Sequence, residues 1–300
     1  MTVLVTGLPR SGTSWAGAML TAGGAAVYVN EPLNPERPPG RSPGVLDATV
    51  THRFQYICPD NEEPWRRAFT DTMALRYRFA AELRRNHTPA DLARLVKHGS
   101  AFTLGRLRGR RALLDDPFAL FSAGWFAGRL GCRVVLLVRD AVPFVASWRR
   151  LGWRVRFADL LDQPLLLRDH PHLAAARPLN GSPDHLATTA TLWTLARTTA
   201  HKLAELHPNI RVVHYEDLAT DPVEGYRDLY AWCGLPWTAR AERRVVHACT
   251  TPARGPHTPF AWTGLSRTAY RPMNSRQAAT ARPHGLTTAD VARVRALTTT

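Results

Sequence analysis

A glycine-containing segment near the start of the chain has the residue types of an anion-binding turn. It reads Gly7-Leu-Pro-Arg-Ser-Gly-Thr-Ser-Trp15, between a short apolar run, residues 3–6, and a stretch of helical character from residue 14 to about 22. Backbone N–H groups in such a turn, with the partial positive charge of a helix N-terminus, attract a phosphate oxygen. The segment predicts a phosphate site; the alternative is a Ser or Thr helix cap after a Gly-Pro turn.

The same segment departs from the P-loop pattern of ATP- and GTP-binding proteins. That pattern needs a lysine directly after its second glycine, where this chain has Thr13 after Gly12, and the nearest cation is Arg10. We find no convincing acidic residue at the end of a later apolar strand to hold Mg²⁺ for kinase chemistry. The sequence therefore favours a donor whose transferred group needs no metal, and we expect no metal site.

A second anion site is indicated where a later apolar run ends. Residues 136–140 read Leu-Leu-Val-Arg-Asp, and Ser147 follows Arg139 by eight residues, in the next predicted helix. Open α/β sheets bind ligands beyond the carboxyl ends of their strands, which places Arg139 at the ligand edge. Its guanidinium can make a forked contact with phosphate. A surface salt bridge is the ordinary alternative for an Arg-Asp pair after a strand.

Together these motifs resemble the sulfotransferases that use 3′-phosphoadenosine-5′-phosphosulfate (PAPS). The family's phosphosulfate loop reads Pro-(Lys/Arg)-Ser-Gly-Thr-(Thr/Ser), often followed by Trp, and its 3′-phosphate site pairs an Arg at a strand end with a Ser eight residues later. The resemblance, in particular to the bacterial and tyrosylprotein/carbohydrate branch, implies sulfuryl transfer from PAPS to a hydroxyl or amine. The product nucleotide is 3′-phosphoadenosine-5′-phosphate (PAP), and the implied acceptor is a small molecule, a carbohydrate or a natural product.

The resemblance also implies which residues contact the donor. Arg10 would contact the 5′-phosphate and the leaving sulfuryl oxygens, and Arg139 with Ser147 the 3′-phosphate. Tyr215, in Val-Val-His-Tyr-Glu-Asp-Leu, would lie beside the adenine. The resemblance also implies that the backbone amides of Ser11, Gly12, Thr13 and Ser14 surround the phosphate. Trp15 would lie against the adenine, and Arg267 and Arg271 would reach the donor from a closing C-terminal loop.

Glu31 is the predicted catalytic base. It follows a short apolar stretch and lies 21 residues after Arg10, a spacing at which tyrosylprotein and many bacterial sulfotransferases carry a catalytic glutamate. Its pKa would have to suit proton abstraction in a partly desolvated pocket. The alternatives are an exposed loop carboxylate before proline, or His52 or His98 as the base, although neither histidine has a motif around it.

One segment departs from the family pattern. Residues 113–118 read Leu-Leu-Asp-Asp-Pro-Phe and resemble the family's Leu-Lys-Asp-Pro-Phe, with Asp115 in place of the lysine that is expected to touch the sulfuryl group. Two interpretations remain open. Either Asp115 turns away and an arginine such as Arg10 or Arg271 supplies the charge, or Asp115 assists the acceptor.

The elements that must position these residues alternate along the chain. Apolar runs predict strands at 3–6, 112–114, 132–138 and 210–214, and helical spacing predicts intervening helices, the longest at 184–206. The pattern implies an α/β fold with a central parallel β-sheet flanked by helices, and the resemblance implies the P-loop-type sulfotransferase fold. Without an internal repeat or a clear linker, we expect one domain over residues 1–300.

Other segments carry more local expectations. Residues 30–45, rich in proline and glycine, predict an irregular surface loop. Residues 65–97 have helical spacing with a break at Thr88-Pro89, where Thr88 or Asp91 could begin a new helix. Residues 118–130 predict an amphipathic helix and residues 250–285 a polar loop. Residues 45–110 match no family motif, so we expect substrate choice to reside there.

Composition and charge limit the remaining possibilities. The net charge is +15, and all but two of the 39 basic residues are arginines spread over the chain, which indicates a composition bias or a field that gathers anions. Four widely spaced cysteines predict neither a disulfide framework nor a zinc site. Without an apolar run of about 18 to 20 residues or a signal peptide, we expect a cytoplasmic protein with no membrane span and no nucleic-acid partner. The rival functions are a P-loop small-molecule kinase and a non-catalytic nucleotide- or nucleic-acid-binding protein.

Overall fold

The computed structural model describes residues 1–35, 48–85, 88–250, 274–280 and 284–299. Within these ranges, five parallel strands form one sheet in the order β2-β3-β1-β4-β5. The strands are β1 (Val3–Gly7), β2 (Ala26–Asn30), β3 (Arg111–Asp115), β4 (Arg133–Val138) and β5 (Ile210–His214). The expected α/β fold with a central parallel sheet is therefore confirmed.

Strand β1 lies in the middle of the sheet and is buried on both faces. Leu4 belongs to the hydrophobic core on one face, and Val3 and Val5 belong to the core on the other. Burial on both faces favours apolar residues at successive positions rather than an alternating pattern. Because every strand is parallel to β1, the carboxyl ends of all of them lie at one edge of the sheet.

Helices cover both faces. The core on one face contains Trp15 and Tyr226, and the opposite core contains Phe69, Trp148 and Leu192. The helices are α1 (Thr13–Leu20), α2 (Glu63–Met73), α3 (Phe79–Arg85), α4 (Pro89–Leu107), α5 (Ala123–Gly128), α6 (Ala141–Arg150), α7 (Ala158–Leu161), α8 (Pro164–Asp169), α9 (His185–Leu206), α10 (Tyr215–Thr220), α11 (Pro222–Trp232), α12 (Ala239–Thr250), α13 (Ser275–Thr280) and α14 (Thr288–Thr298).

Several local expectations need correction. The sequence indicated no strand at β2, and the expected helix over 118–130 is a 3₁₀ helix, Pro117–Ser122, followed by the short α5. Asp116 explains that start, since its side chain accepts a hydrogen bond from the backbone N–H of Phe118 at 3.0 Å. Within the tail expected to be a loop, residues 275–280 form α13, and α14 was not predicted.

The break expected near Thr88 is confirmed. Helix α4 begins after Thr88, whose hydroxyl accepts a hydrogen bond from the N–H of Asp91, the usual arrangement of an N-cap threonine. The preceding helical stretch is divided into α2 and α3, and Leu75 between them has a left-handed φ of 52°.

In the part of the chain that the structure describes, no helix combines the length and hydropathy needed to cross a membrane.

Helix α1 packs so closely on the sheet at Gly17 that a side chain there would overlap its neighbours. A Cβ at Gly17 would lie 2.8 Å from the ring of Tyr28 and 3.3 Å from the Cβ of Asp115. We expect Gly17→Val to lower the free energy of unfolding by about 1 to 3 kcal/mol through overpacking, as measured by urea denaturation. The control is Ala18→Val, at a half-buried position of the same helix. Equal losses in the two variants would contradict this packing argument.

Candidate active site

The segment from Gly7 to α1 is a tight turn at the carboxyl end of β1. Gly7 and Gly12 have φ values of 152° and 99°. A side chain at Gly7 would overlap the carbonyl oxygen of Leu137, and one at Gly12 would place a Cβ 2.7 Å from the ring of Tyr215. Glycine is therefore required at both positions, for backbone conformation and for space.

Two hydrogen bonds fix the middle of this turn. The backbone N–H of Ser11 donates to the carbonyl of Leu8 at 3.0 Å, and the indole N–H of Trp148 donates to the carbonyl of Pro9 at 3.0 Å. Arg10, between them, has a left-handed φ of 82°. The turn thus holds its shape through contacts with the core, while α1 begins directly after Gly12.

The structure brings Arg10, Arg139 and Ser147 together, although they lie in three different segments. The Nε of Arg10 donates to the hydroxyl oxygen of Ser147 at 3.0 Å. The Nη1 of Arg139 donates to the carbonyl of Arg10 at 3.2 Å. The two predicted anion sites are therefore neighbours at one edge of the sheet.

Positive charge is concentrated at this point. Burial lowers the pKa of Arg10, the positive charges of Arg139 and Arg150 add to the shift and Tyr215 opposes it, so that the resulting pKa is about 10. Like charges held this close repel each other, and a bound anion would relieve the repulsion. The pKa still keeps Arg10 protonated at neutral pH, so this cluster favours an anionic ligand.

Tyr215 forms one wall of the cation cluster. The guanidinium carbon of Arg139 lies 4.9 Å from the centroid of its ring, within the range of a cation–π contact. Trp15 packs edge-on behind Tyr215 at a centroid distance of 5.3 Å and also contacts Tyr226. Trp15 is 4% exposed, so it supports Tyr215 from within the core; its expected contact with adenine stays a prediction.

Glu31 lies at the same edge, on the other side of β1. It is 6% exposed, its N–H donates to the carbonyl of Asp115 at 2.7 Å, and its φ is 46°. The side-chain amide of Asn34 donates to its Oε2 at 2.6 Å. Glu31 is therefore a fixed, buried carboxyl and not an exposed loop carboxylate.

Asp116 holds the turn that contains Glu31. Its Oδ2 accepts from the N–H of Leu33 at 2.6 Å and its Oδ1 from the N–H of Phe118 at 3.0 Å. Burial raises the pKa of Asp116 well above its ordinary value, the two backbone donors lower it, and Glu31 raises it again. Asp116 was not among the predicted site residues; its signal in the sequence is the position directly before proline, where Asp commonly caps a following turn.

Asp115, in place of the expected lysine, is fully buried beneath α1. The hydroxyl of Tyr28 donates a short hydrogen bond to its Oδ2. Burial and, less strongly, the charge of Glu31 raise the pKa of Asp115, hydrogen bonding from Tyr28, Ser14 and Thr13 opposes the rise, and the resulting pKa is about 7. The side chain thus points towards the first turn of α1 and takes up a proton as the pH falls below about 7.

Two other predicted contacts, Arg267 and Arg271, lie outside the described residues. Of the alternative bases, His98 is buried within α4, and the Nδ1 of His52 is 2.8 Å from the hydroxyl of Thr51.

The order of the strands divides the site in two. Arg139 follows β4 and Tyr215 follows β5, on one side of β1, whereas Glu31 follows β2 and Asp115 ends β3 on the other side. The turn containing Arg10 lies between the two groups. An elongated anionic ligand lying across this turn would have one end among cations and the other beside carboxyls.

Comparison with known proteins identifies the family of the chain. A model described as the sulfotransferase family matches residues 2–239, and the chain belongs to that family. The family match supports a transferase, although it does not separate the tyrosylprotein/carbohydrate branch from others. A search of curated proteins finds no match.

Among solved structures, a sulfotransferase domain from the curacin biosynthetic pathway has a TM-score of 0.51 and 12% identity, and the alignment covers 99% of this chain and 96% of that one. The sulfotransferase domain of the Synechococcus PCC 7002 olefin synthase has a TM-score of 0.45 and 14% identity, with coverages of 98% and 93%. At such identities the first likeness shows the fold alone.

The buried carboxyl of Asp115 generates a prediction about stability and pH. Its pKa rises from 3.8 to about 7 on folding, so between those values the unfolded chain is ionised while the folded protein keeps the proton. The wild type should lose up to about 1.4 kcal/mol of stability per pH unit through this group. Above pH 7 the loss is complete.

Asp115→Asn removes this titration. Its stability relative to the wild type should therefore rise from about pH 4 to about pH 7 and then level off. Urea denaturation at intervals across that range measures the margin. The exposed Asp162→Asn serves as the control and should run parallel to the wild type. A constant difference between Asp115→Asn and the wild type would contradict the assignment.

Proposed function

We propose that the protein transfers the sulfuryl group of PAPS to a hydroxyl or amine, releasing PAP. The observation that carries this proposal is the cluster of Arg10, Arg139, Ser147 and Tyr215 at a glycine turn, opposite a buried glutamate. The finer part of the proposal is that the acceptor is a small molecule, a carbohydrate or a natural product in the cytoplasm.

The residues present fit such a donor. The backbone amides of the turn over Ser11–Ser14 and the guanidinium of Arg10 would hold the 5′-phosphosulfate. Arg139 would hold the 3′-phosphate, because its buried Nε has no hydrogen-bond partner among the described residues and such a donor suits a phosphate oxygen. The hydroxyl of Ser147 accepts from Arg10 and can turn its own hydrogen to the same phosphate.

Tyr215 and its neighbours would form the adenine side of the donor site. Its ring is fixed between Trp15 and the guanidinium of Arg139. Gly12 lies so close to this ring that a Cβ would come within 2.7 Å of it. An aromatic wall next to the phosphate turn is the arrangement that a nucleobase attached to those phosphates would need.

On the acceptor side, Glu31 accepts the proton. When bound, the donor supplies a sulfuryl group whose bond to the bridging phosphate oxygen breaks as sulfur bonds to the acceptor atom. Asn34 holds one carboxyl oxygen of Glu31, and the backbone of Asp115 holds its position. Arg10, whose pKa of about 10 keeps it charged at neutral pH, balances the negative charge that develops on the bridging oxygen. With Glu31 as the base and Arg10 as the stabilising charge, the proposed transfer needs no metal ion.

The activity itself is tested with sulfur-labelled PAPS and a panel of hydroxylated and amine metabolites. We expect label transfer without added metal, with PAP as the second product. Glu31→Gln should lower kcat at least about a hundredfold because the general base is lost, while PAP affinity, measured by calorimetry, is retained.

The exposed Glu63→Gln on α2 serves as the matched control and should keep full activity. Full activity of Glu31→Gln would exclude Glu31 as the base. Phosphate transfer from ATP with Mg²⁺ would favour a kinase instead. Salt-sensitive binding of DNA or RNA without transfer would favour a nucleic-acid-binding protein.

The assignment of the 3′-phosphate is tested at Arg139. Arg139→Ala should weaken PAP binding by about tenfold to a hundredfold, and the binding of adenosine monophosphate, which lacks the 3′-phosphate, by less than about threefold. Calorimetry on both nucleotides gives the comparison. Arg133→Ala is the matched control, since Arg133 begins the strand that leads to Arg139 and lies over the ring of Trp232 at the opposite end. Equal losses for both nucleotides in Arg139→Ala would overturn the assignment.

A further inference from the structure

Asn30, the last residue of β2, is buried with an unsatisfied side chain. It is 2% exposed, and neither its Nδ2 nor its Oδ1 has a hydrogen-bond partner among the residues that the structure describes. Nearly all buried amides in proteins are hydrogen-bonded, because an unmet one destabilises the fold. At a ligand-binding edge, a bound ligand can supply the missing hydrogen-bond partner of such a side chain.

The direction of the Asn30 side chain follows from the register of the strands. Asn30 pairs with Asp115 across β2 and β3, and Tyr28 pairs with Leu113. Alternation along a strand places Tyr28 and Asn30 on one face, and Tyr28 reaches Asp115 and packs against Gly17 of α1. Asn30 therefore lies on the face covered by α1, at the carboxyl edge, next to the start of that helix.

The polar groups that neighbour Asn30 along the chain and on β3 are mainly acidic. The nearby carboxyls belong to Glu31 and Asp115, and the hydroxyl of Tyr28 already donates to Asp115. The Nδ2 of Asn30 brings two N–H donors and no charge. An anionic group lying between Arg10 and Glu31 would find in this amide a hydrogen-bond donor on the side of the site where carboxyls predominate.

We propose that Asn30 is a further binding residue of the transfer centre, whose side-chain amide donates to an oxygen of the sulfuryl group. The inference rests on the proposed function, because the sulfuryl group would lie between the turn of Arg10 and the base Glu31. Strand β3 ends in Asp115, which is not a cation. The contact with the transferred group would instead come from Asn30 of β2.

Comparing PAPS with PAP tests a contact with the sulfuryl group, which only PAPS carries. In Asn30→Leu, kcat/KM for PAPS should fall by about tenfold to a hundredfold. Affinity for PAP, which has no sulfuryl group, should stay within about twofold. The KM of the acceptor should not change. A fall in PAP affinity equal to the fall in kcat/KM, or a change confined to acceptor KM, would overturn the assignment.

A purely structural role predicts a different result. Since Asn30→Leu removes an unmet buried amide, its melting temperature should equal or exceed that of the wild type; a markedly lower one with unchanged kcat/KM would overturn the proposal. Asn30→Ala, which needs no extra space, gives the same kinetic test if leucine does not fit. Thr189→Val in α9 is the matched control: it removes another buried polar atom without a partner among the described residues, and should leave kcat/KM unchanged.

The activity of the wild type distinguishes failure of the proposed sulfuryl transfer from failure of the role proposed for Asn30. If the wild type transfers no sulfuryl group from PAPS, the proposed function fails. If the wild type is active and Asn30→Leu and Asn30→Ala match its kcat/KM, the inference about Asn30 alone fails.

Discussion

Arg10 marks the boundary between two unlike halves of one sheet edge. On one side its guanidinium contacts Ser147 and is repelled by the positive charge of Arg139. On the other side β3 ends in Asp115, and Glu31 directly follows β2. This division follows from the strand order, in which β1 separates β2 and β3 from β4 and β5. The carboxyl ends of parallel strands share one edge, so residues far apart in sequence form a site that is cationic at one end and acidic at the other.

The parts of the site that could be predicted from the sequence are those written in contiguous motifs. Arg10 and its turn, Arg139 with Ser147, and Tyr215 each belong to a short run with a recognisable pattern, and the structure brings them together. The apolar run of strand β2, residues 25–29, lies between Gly23-Gly24 and Pro32, and a short run of this kind leaves the choice between strand and loop open. Its existence depends on pairing with β3, a long-range contact that local pattern does not contain.

The same limit applies to Asp115 and Asp116. Two adjacent aspartates before a proline look alike in the sequence, but pairing with β2 turns one beneath α1 and the other towards the N–H groups of Leu33 and Phe118. Burial then changes the chemistry of the first of them, since its raised pKa of about 7 lets its carboxyl hold a proton near neutral pH. The identity of a residue does not determine its charge until its surroundings are known.

The backbone at Arg10 and Glu31 has a consequence beyond the positions of their side chains. Both residues adopt left-handed φ angles, 82° and 46°, a conformation that costs a residue with a Cβ about 1 kcal/mol or more. Glycine would tolerate either position better, yet it has no functional group. The fold thus bears a conformational cost at two points of proposed chemistry, and selection for stability alone would act against the residues that we expect to carry the activity.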